Sequence, residues 1–136
     1  MNDKSKVRMR EQIESVIEKI EAAFPDLLIF QDEISANELK AFQDGEDYFC
    51  IVFTTGDFNS GDSKKFLTQD FMLDYYSENR DDVDEMIIDL ITLMDQVKTF
   101  EFETTAKQRF KVKDTERYVD VTAIEFKRKV QYECSV

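Results

Sequence analysis

The chain has 136 residues and a formal net charge of −12, from 30 acidic and 18 basic residues. This length predicts one domain, residues 1–136, with a substantial core, and no apolar run approaches the roughly 20 residues of a membrane span. The N-terminus lacks the apolar segment of a signal peptide, so we expect a soluble protein made in the cytosol. Its acidic charge disfavours a nonspecific hold on nucleic acid, because phosphates would be repelled. Three roles fit that charge: it simply keeps the protein soluble, it matches a basic partner, or it lines a channel past which DNA slides without sticking.

The residue types exclude most catalytic chemistry. The chain has no histidine, which removes the commonest general base and metal ligand together. Of its two cysteines, Cys50 lies in an apolar run and Cys134 near the end, and neither has a nearby base. We expect buried thiols rather than a disulfide or a nucleophile. No glycine-rich phosphate loop occurs. We therefore predict that the protein is not an enzyme and uses no metal or cofactor.

The first predicted helix covers about Lys4 to Phe24, and Pro25 ends it. Its apolar stripe recurs at spacings of three and four: Met9, Ile13, Val16, Ile17, Ile20, Ala23, Phe24. Basic residues crowd the positive end of the helix dipole: Lys4, Lys6, Arg8, Arg10. Either residues 1–8 are frayed, or this basic arm contacts an acidic partner.

Three short segments follow. Leu27 to Phe30 is predicted to be a strand, and Tyr48 to Thr54 a central strand covered on both faces, because it is almost entirely apolar. Between them, Ser35 to Phe42 fits a single helical turn. Ser35 is its expected N-cap, with Glu38 at the capping-box spacing.

Thr55 to Lys65, TGDFNSGDSKK, is predicted to be a loop. It is longer than the usual hairpin connection, which favours a role in function or order acquired on assembly. Asp57, Asn59 and Asp62 partly match a calcium-binding loop, but the glycine stands at the fifth position and Thr68 replaces the final glutamate. A plain turn-forming loop explains the same residues.

The best-defined unit is a strand followed by a helix. Phe66 to Tyr76 alternates: one face carries Leu67, Phe71, Leu73 and Tyr75, and the other carries Thr68, Asp70, Met72 and Asp74. Asn79 is the expected N-cap of the helix. The core stripe of that helix is unbroken: Val83, Met86, Ile87, Leu90, Ile91, Met94, Val97.

A closing hairpin is predicted from two further strands. In the first, one face carries Phe100, Phe102, Thr104, Ala106, Gln108, Phe110 and Val112, and the other Glu101, Glu103, Thr105, Lys107, Arg109, Lys111 and Lys113. That strand is long enough to favour a bulge near Thr104–Ala106. The last strand, Arg117 to Val130, changes its apolar face midway, and a bulge near Ala123 would reconcile the two halves. A C-terminal tail, 131–136, follows.

The predicted order is α-β-β-β-α-β-β, with the possible short turn at Ser35 left out of it. This order indicates an α+β fold with an antiparallel or mixed sheet of about five strands and two main helices on one face.

Charges are segregated along this order. The first strand of the hairpin carries a basic row: Lys107, Arg109, Lys111, Lys113. The second main helix carries acids: Asp81, Asp82, Asp84, Glu85, Asp89, Asp95. The two faces are either simply solvated, or the basic row of one subunit docks on the acidic helix of the next, which is a heterologous contact able to close a ring.

The order and spacing of these elements over Met9 to Val130 resemble the tail-terminator and tail-completion proteins of long-tailed bacteriophages and prophages. The likeness rests on MREQIESVIEKIEAAFPDL, on YFCIVFTTGDF, on FLTQDFMLDYYSENRDDVDEMIIDLITLM, and on the final YVDVTAIEFKRKV. The resemblance implies a siphovirus virion protein that caps the tail tube as a ring, usually of six copies, and joins the tail to the head connector. It implies no catalysis and no cofactor.

The resemblance also sets the expected partners and place. They are copies of the chain itself, the tail tube protein and the head connector protein, at the tail–head junction after synthesis in the bacterial cytoplasm. DNA would pass without specific binding, and no membrane is involved. The candidate interface combines the loop, the basic row and the acidic helix: Asp57, Phe58, Asn59, Ser60, Asp62, Lys64, Lys65, Lys107, Arg109, Lys111, Lys113, Asp82, Glu85, Asp89. The alternatives are an acidic DNA mimic that inhibits a DNA-binding protein, or a generic acidic adaptor.

Overall fold

A computed structural model describes residues 3–61 and 64–132. Its elements in order are α1 (Asp3–Ala23), β1 (Leu28–Gln31), α2 (Ala36–Gln43), β2 (Phe49–Ser60), β3 (Phe66–Ser77), α3 (Val83–Asp95), β4 (Phe100–Lys111) and β5 (Tyr118–Gln131). The fold is α+β, as predicted. The predicted order is wrong in one respect, because it omits α2.

The five strands form one mixed sheet in the order β1-β2-β3-β5-β4. Strand β1 runs parallel to β2, and the other neighbours are antiparallel. Helices α1 and α3 both pack on one side, called here the helix face. The other side is the open face, which α2 covers over part of its area. The placement of the two main helices on one face is therefore confirmed.

The main core lies between the helix face and the two long helices. Alternate residues of β2, β3 and β5 form the sheet side of this core, and the apolar stripes of α1 and α3 form the helix side. Strand and helix periodicities each place one apolar face inward. Its buried members include Val16, Ile20, Ile51, Phe71, Leu73, Met86, Leu90, Met94, Ile124 and Phe126.

Leu90 tests the importance of this core. Its side chain is fully buried, so Leu90→Ala is expected to lower the free energy of unfolding by about 2–5 kcal/mol through lost burial and a residual cavity. Ile88, two residues earlier on the same helix, is 62% exposed, and Ile88→Ala should change stability by less than about 0.5 kcal/mol. Urea unfolding of both variants measures the difference. Equal losses would contradict the assigned helix orientation.

Helix α2 is longer than the single turn predicted for this segment. The Oγ of Ser35 accepts a hydrogen bond from the Glu38 backbone N–H at 3.3 Å, which confirms the expected cap. Phe42 anchors the helix on the open face, where its ring stacks on Tyr48 with centroids 4.4 Å apart. Cys50 and Val121 complete this second, smaller core. The sequence pattern located this segment but indicated only a single turn, because the helix has only this one buried residue.

The predicted loop Thr55 to Lys65 is mostly strand. Strand β2 continues to Ser60, with a register shift against β3 between Thr55 and Phe58. The chain then turns at Gly61, whose N–H donates to the Phe66 carbonyl oxygen at 3.2 Å. A Cβ at Gly61 would lie 2.7 Å from that oxygen, so the turn requires glycine. Thr and Asn fit a strand as readily as a loop, which is why composition was misleading.

Strand β4 has the predicted bulge, slightly earlier than expected. Its register against β5 shifts between Phe102 and Thr104, leaving Glu103 as the extra residue. The bulge exchanges the two faces: Phe100 belongs to the main core, whereas Val112 belongs to the smaller core on the open side. The prediction that these two residues share a face is therefore wrong.

Strand β5 has no bulge near Ala123. It pairs with β3 in unbroken register from Asp120 to Gln131. Its apolar pattern changes because the strand is buried on both sides in turn, with Val121 under α2 and Ile124 under the main helices. The predicted bulge is therefore wrong, because burial in two separate cores explains the change of apolar face.

The start of α3 also differs from the prediction. Its N-cap is Asp82, without a side-chain capping bond. Asn79 instead adopts a left-handed conformation with φ 58° in the preceding turn, and its Nδ2 donates to Asp47 at 3.0 Å. Asparagine tolerates this conformation, so the residue type that suggested a cap serves the turn.

Candidate functional site

The basic row lies on the helix face of β4, beside α3. Three of its residues contact acids of the same chain. Lys107 binds Asp84 of α3, Arg109 lies 3.5 Å from Asp120, and Lys111 lies 3.6 Å from Glu116. All three lysine and arginine side chains are largely exposed, so each contact contributes about 0–1 kcal/mol. Lys113 follows the strand and is exposed.

The acidic residues predicted on α3 differ in whether they form ion pairs. Both carboxylate oxygens of Asp82 accept bonds from Arg80, at 2.9 and 2.8 Å, which lowers the pKa of Asp82. Glu85 and Asp89 are exposed, and neither forms an ion pair with another described residue. A polar cleft of about 460 Å³ lies at the start of α3, and its lining includes Asp84, Glu85 and Lys107 of the basic row. The two surfaces of the head-to-tail hypothesis are therefore neighbours within one chain.

The loop residues of the candidate interface lie at the end of the β2–β3 hairpin. Asp57, Phe58, Asn59 and Ser60 are exposed residues of β2, and the Phe58 ring is 48% exposed. Lys64 and Lys65 are exposed in the turn. Asp62 lies outside the described residues. Because Asp57 and Asn59 belong to a strand, they are not part of a calcium loop, and no group of three or more potential metal ligands forms among the described residues.

The sheet has an unpaired edge on each side. Strand β4 pairs with β5 along its length and with no described strand on its outer side. On the opposite side, the four-residue strand β1 covers only Cys50 to Phe53 of β2. From Thr54 to Ser60, the outer side of β2 is unpaired in the described chain. Exposed strand edges are sites at which further strands pair.

The open face beyond α2 carries acids along its centre. Asp70, Asp74 and Glu125 lie there, with Lys127 beside them 3.3 Å from Glu103. Partial burial raises the pKa of Asp74, because the carboxylate loses water without gaining a cation. This face is thus anionic and only partly neutralised.

Sequence reasoning missed a partly buried ion pair at the end of the sheet where β3 finishes, in which the Glu78 side chain is 2% exposed and the Arg117 side chain 22% exposed. The guanidinium of Arg117 donates to both carboxylate oxygens of Glu78, at 2.7 and 2.8 Å. It also donates to the carbonyl oxygens of Phe42 and Glu46, both at 2.7 Å. The Tyr48 backbone N–H donates to Glu78 at 3.1 Å. This network connects α2 and the start of β2 to the end of β3 and the start of β5. Because Glu78 and Arg117 are single charges at strand ends, no periodic pattern in the sequence predicts their pairing.

The ion pair predicts an acid-sensitive step in stability. Hydrogen bonds from Arg117 lower the pKa of Glu78. A lowered pKa gives stability that is full above the unfolded value of about 4.3 and is lost as pH falls through the folded value. Glu78→Gln should therefore be less stable than the parent at pH 7, with the gap narrowing below about pH 4. Urea unfolding across that range measures it, and a gap independent of pH would refute the assignment.

A second buried cation was also missed. Arg128 is 2% exposed on the helix face of β5. Its Nε donates to Gln69 at 2.8 Å, and its Nη1 to the Met9 carbonyl oxygen at 3.2 Å. Burial lowers the pKa of Arg128. This side chain fixes the first half of α1 to the sheet.

The cysteine prediction is confirmed for one residue. Cys50 is fully buried and free, and burial raises the pKa of its thiol to about 12, so it is unreactive. Cys134 lies outside the described residues.

Comparison with protein-family models and curated proteins gives no indication of function. The chain matches no protein-family model, and no curated protein is significantly similar to it. None of the described helices has both the length and the apolar character to cross a bilayer.

Proposed function

We propose that this protein completes the tail of a long-tailed bacteriophage. It caps the finished tail tube as a ring, usually of six copies, and forms the joint to the head connector without catalysis. Its partners are further copies of itself, the tube protein and the connector protein. It acts in the virion at the tail–head junction, after synthesis in the bacterial cytoplasm.

The order of elements supports this proposal. A long opening helix, a buried strand, a strand leading directly into an amphipathic helix, and a final hairpin are the features on which the resemblance to tail-completion proteins rests. These features correspond to α1, β2, the β3–α3 unit and the β4–β5 hairpin. The additional helix α2 occupies a connection between two strands and leaves that order otherwise intact.

The observation that carries the proposal is the pair of unpaired sheet edges. A ring requires two different surfaces on each subunit, because every contact is heterologous. The outer side of β4 and the outer side of the β1–β2 edge lie on opposite sides of the sheet. Both edges carry mostly polar or charged residues together with exposed phenylalanines such as Phe58 and Phe102, and each leaves backbone groups without a partner strand in the described chain.

The anionic open face is compatible with a DNA channel. Asp70, Asp74 and Glu125 would repel phosphates if this face were directed to the lumen, so DNA would pass without adhering. The net charge of −12 acts in the same direction.

The proposal predicts self-assembly as protein concentration rises. Light scattering coupled to gel filtration should show a species of six copies of the 16.1 kDa chain, about 97 kDa, and negative-stain images should show rings. A strictly monomeric protein that nevertheless competes with DNA for a basic protein, with a steep salt dependence, would favour the DNA-mimic alternative instead.

A further inference from the structure

The sheet register shows which parts of the two unpaired edges lie at the same level. One straight row across the strands joins Thr55, Phe71, Phe126 and Phe102. Thr54–Phe58 of the unpaired stretch of β2 therefore lies level with Phe100–Thr104 of β4, and Asn59 and Ser60 extend past the start of that strand. A parallel row joins Gln31 of β1 to Thr105, by way of Phe53, Leu73 and Ile124. Strand β1 accordingly lies level with the second half of β4, which carries the basic row.

The strand directions of the two edges are complementary. Following the sheet, β2 and β5 run one way, and β3 and β4 run the other. Rotation about an axis roughly along the strands preserves strand direction and face. The β4 strand of one copy would therefore meet the β2 edge of the next as an antiparallel neighbour, with the helix faces of both copies on the same side.

Apolar side chains match at the level of the unpaired stretch of β2. Phe58 is 48% exposed on β2, and Phe102 is 37% exposed on β4. Both pair with helix-face rows, Phe58 with Gln69 and Phe102 with Phe126. In an edge-to-edge contact these two rings would lie on the same face, within one or two rows of each other. Cross-strand aromatic pairs of this kind stabilise sheets.

Charges match at the level of β1. Exposed acids bracket this short strand, with Asp26 before it and Asp32 and Glu33 after it. None of the three forms an ion pair with another described residue. Acids also line the exposed side of the second half of α1, which leads into β1: Glu14, Glu18, Glu21. The basic row of a neighbouring β4 would thus meet an uncompensated acidic border.

We propose that copies of this chain join edge to edge, with β4 of one copy adding to the β1–β2 edge of the next. The contact continues the sheet from subunit to subunit by antiparallel strand addition, with Phe100–Thr104 of β4 beside Thr54–Phe58 of β2. Beyond the bulge at Glu103, Thr105–Lys111 of β4 passes outside β1. In this contact the basic row binds the acids that flank β1, Asp26, Asp32 and Glu33, rather than the acids of α3. This inference rests on the proposed function only in requiring that the chain assembles with itself.

Disulfide trapping tests the contact in the assembled full-length protein. In a Cys134→Ser background, Thr55→Cys is combined with Phe102→Cys or with Thr105→Cys, the second pair allowing for stagger between copies. The expected result under oxidation is a ladder of covalent oligomers ending at the ring, because a disulfide needs Cα atoms about 4.4–6.8 Å apart. The matched control combines Ile88→Cys on the outer face of α3 with Phe102→Cys, and should give no ladder.

Charge reversal provides the second arm. Asp32→Lys with Glu33→Lys should raise the concentration for half-assembly by about tenfold or more, whereas Glu85→Lys with Asp89→Lys should leave it nearly unchanged. Rings that cross-link only through Ile88→Cys, or that respond only to the α3 pair, would overturn the edge contact while leaving ring assembly intact. A parent protein that never assembles, even with tail tubes, would refute both the contact and the proposed function.

Discussion

Replacing Arg117 by alanine is expected to lower the free energy of unfolding by about 3–5 kcal/mol. The substitution leaves the Glu78 carboxylate buried without its cation, since that side chain is 2% exposed. It also removes the donors to the carbonyl oxygens of Phe42 and Glu46, so α2 loses its link to β5. Urea unfolding at pH 7 measures the loss.

Two further variants separate the ion pair from simple loss of a surface charge. Arg80→Ala breaks the pair with Asp82, in which both side chains are about one-third exposed, and removes the guanidinium that lies 4.2 Å above the Phe49 ring, so it should cost about 1–2 kcal/mol. The double variant Arg117→Met with Glu78→Met should be less destabilised than the sum of the two single changes, because neither charge is left alone. A cost at Arg117 equal to that at Arg80 would show that the network contributes little.

Reversing the basic row is expected to have the largest effect on assembly. Lys107→Glu, Arg109→Glu and Lys111→Glu together should raise the concentration for half-assembly by at least about tenfold, equivalent to about 1.4 kcal/mol. The monomer should remain folded, because these side chains are exposed and their own ion pairs are weak. Light scattering over a concentration series measures assembly, and circular dichroism checks the fold.

The control for this prediction must change the net charge equally. Lys4→Glu, Lys6→Glu and Lys40→Glu reverse three exposed lysines of α1 and α2, outside the basic row. Because general repulsion acts on both variants alike, only the β4 variant should show the full loss if the row forms an interface. Equal losses in the two variants would assign the effect to net charge alone.

The long periodic elements were predictable from sequence. The stripe of α3 identifies its buried residues correctly at Met86, Ile87, Leu90 and Met94, because one turn of helix repeats the same orientation several times. The alternation of β3 was equally informative, with Phe71, Leu73 and Tyr75 buried as expected.

Elements governed by single contacts were only partly predictable. Helix α2 was predicted only as a single turn because it buries one ring, and the end of β2 was predicted as a loop because its residues are exposed and mostly polar. The Glu78–Arg117 network joins residues 39 positions apart, and nothing in either local sequence distinguishes these charges from solvated ones. Only the tertiary fold brings them together.

The sequence predicts which residues form the charged rows of the candidate interface, but not where the fold places those rows. The sequence identifies a basic row and an acidic helix, yet the bulge at Glu103 places that row on the same face as α3, where Lys107 already contacts Asp84. A one-residue insertion reverses the faces of everything after it, and alternation alone does not locate such an insertion to the residue. This is why we propose a different partner surface for the basic row.

The most direct test of tail completion is electron microscopy of the purified protein mixed with tail tubes that lack a terminator. The proposal predicts a ring at one end of each tube and tubes that no longer lengthen when tube protein is added. The triple β4 reversal should leave the tube ends bare, and the equal-charge control should cap them. Tubes that stay uncapped and continue to grow at every concentration of the parent protein would contradict the proposed function.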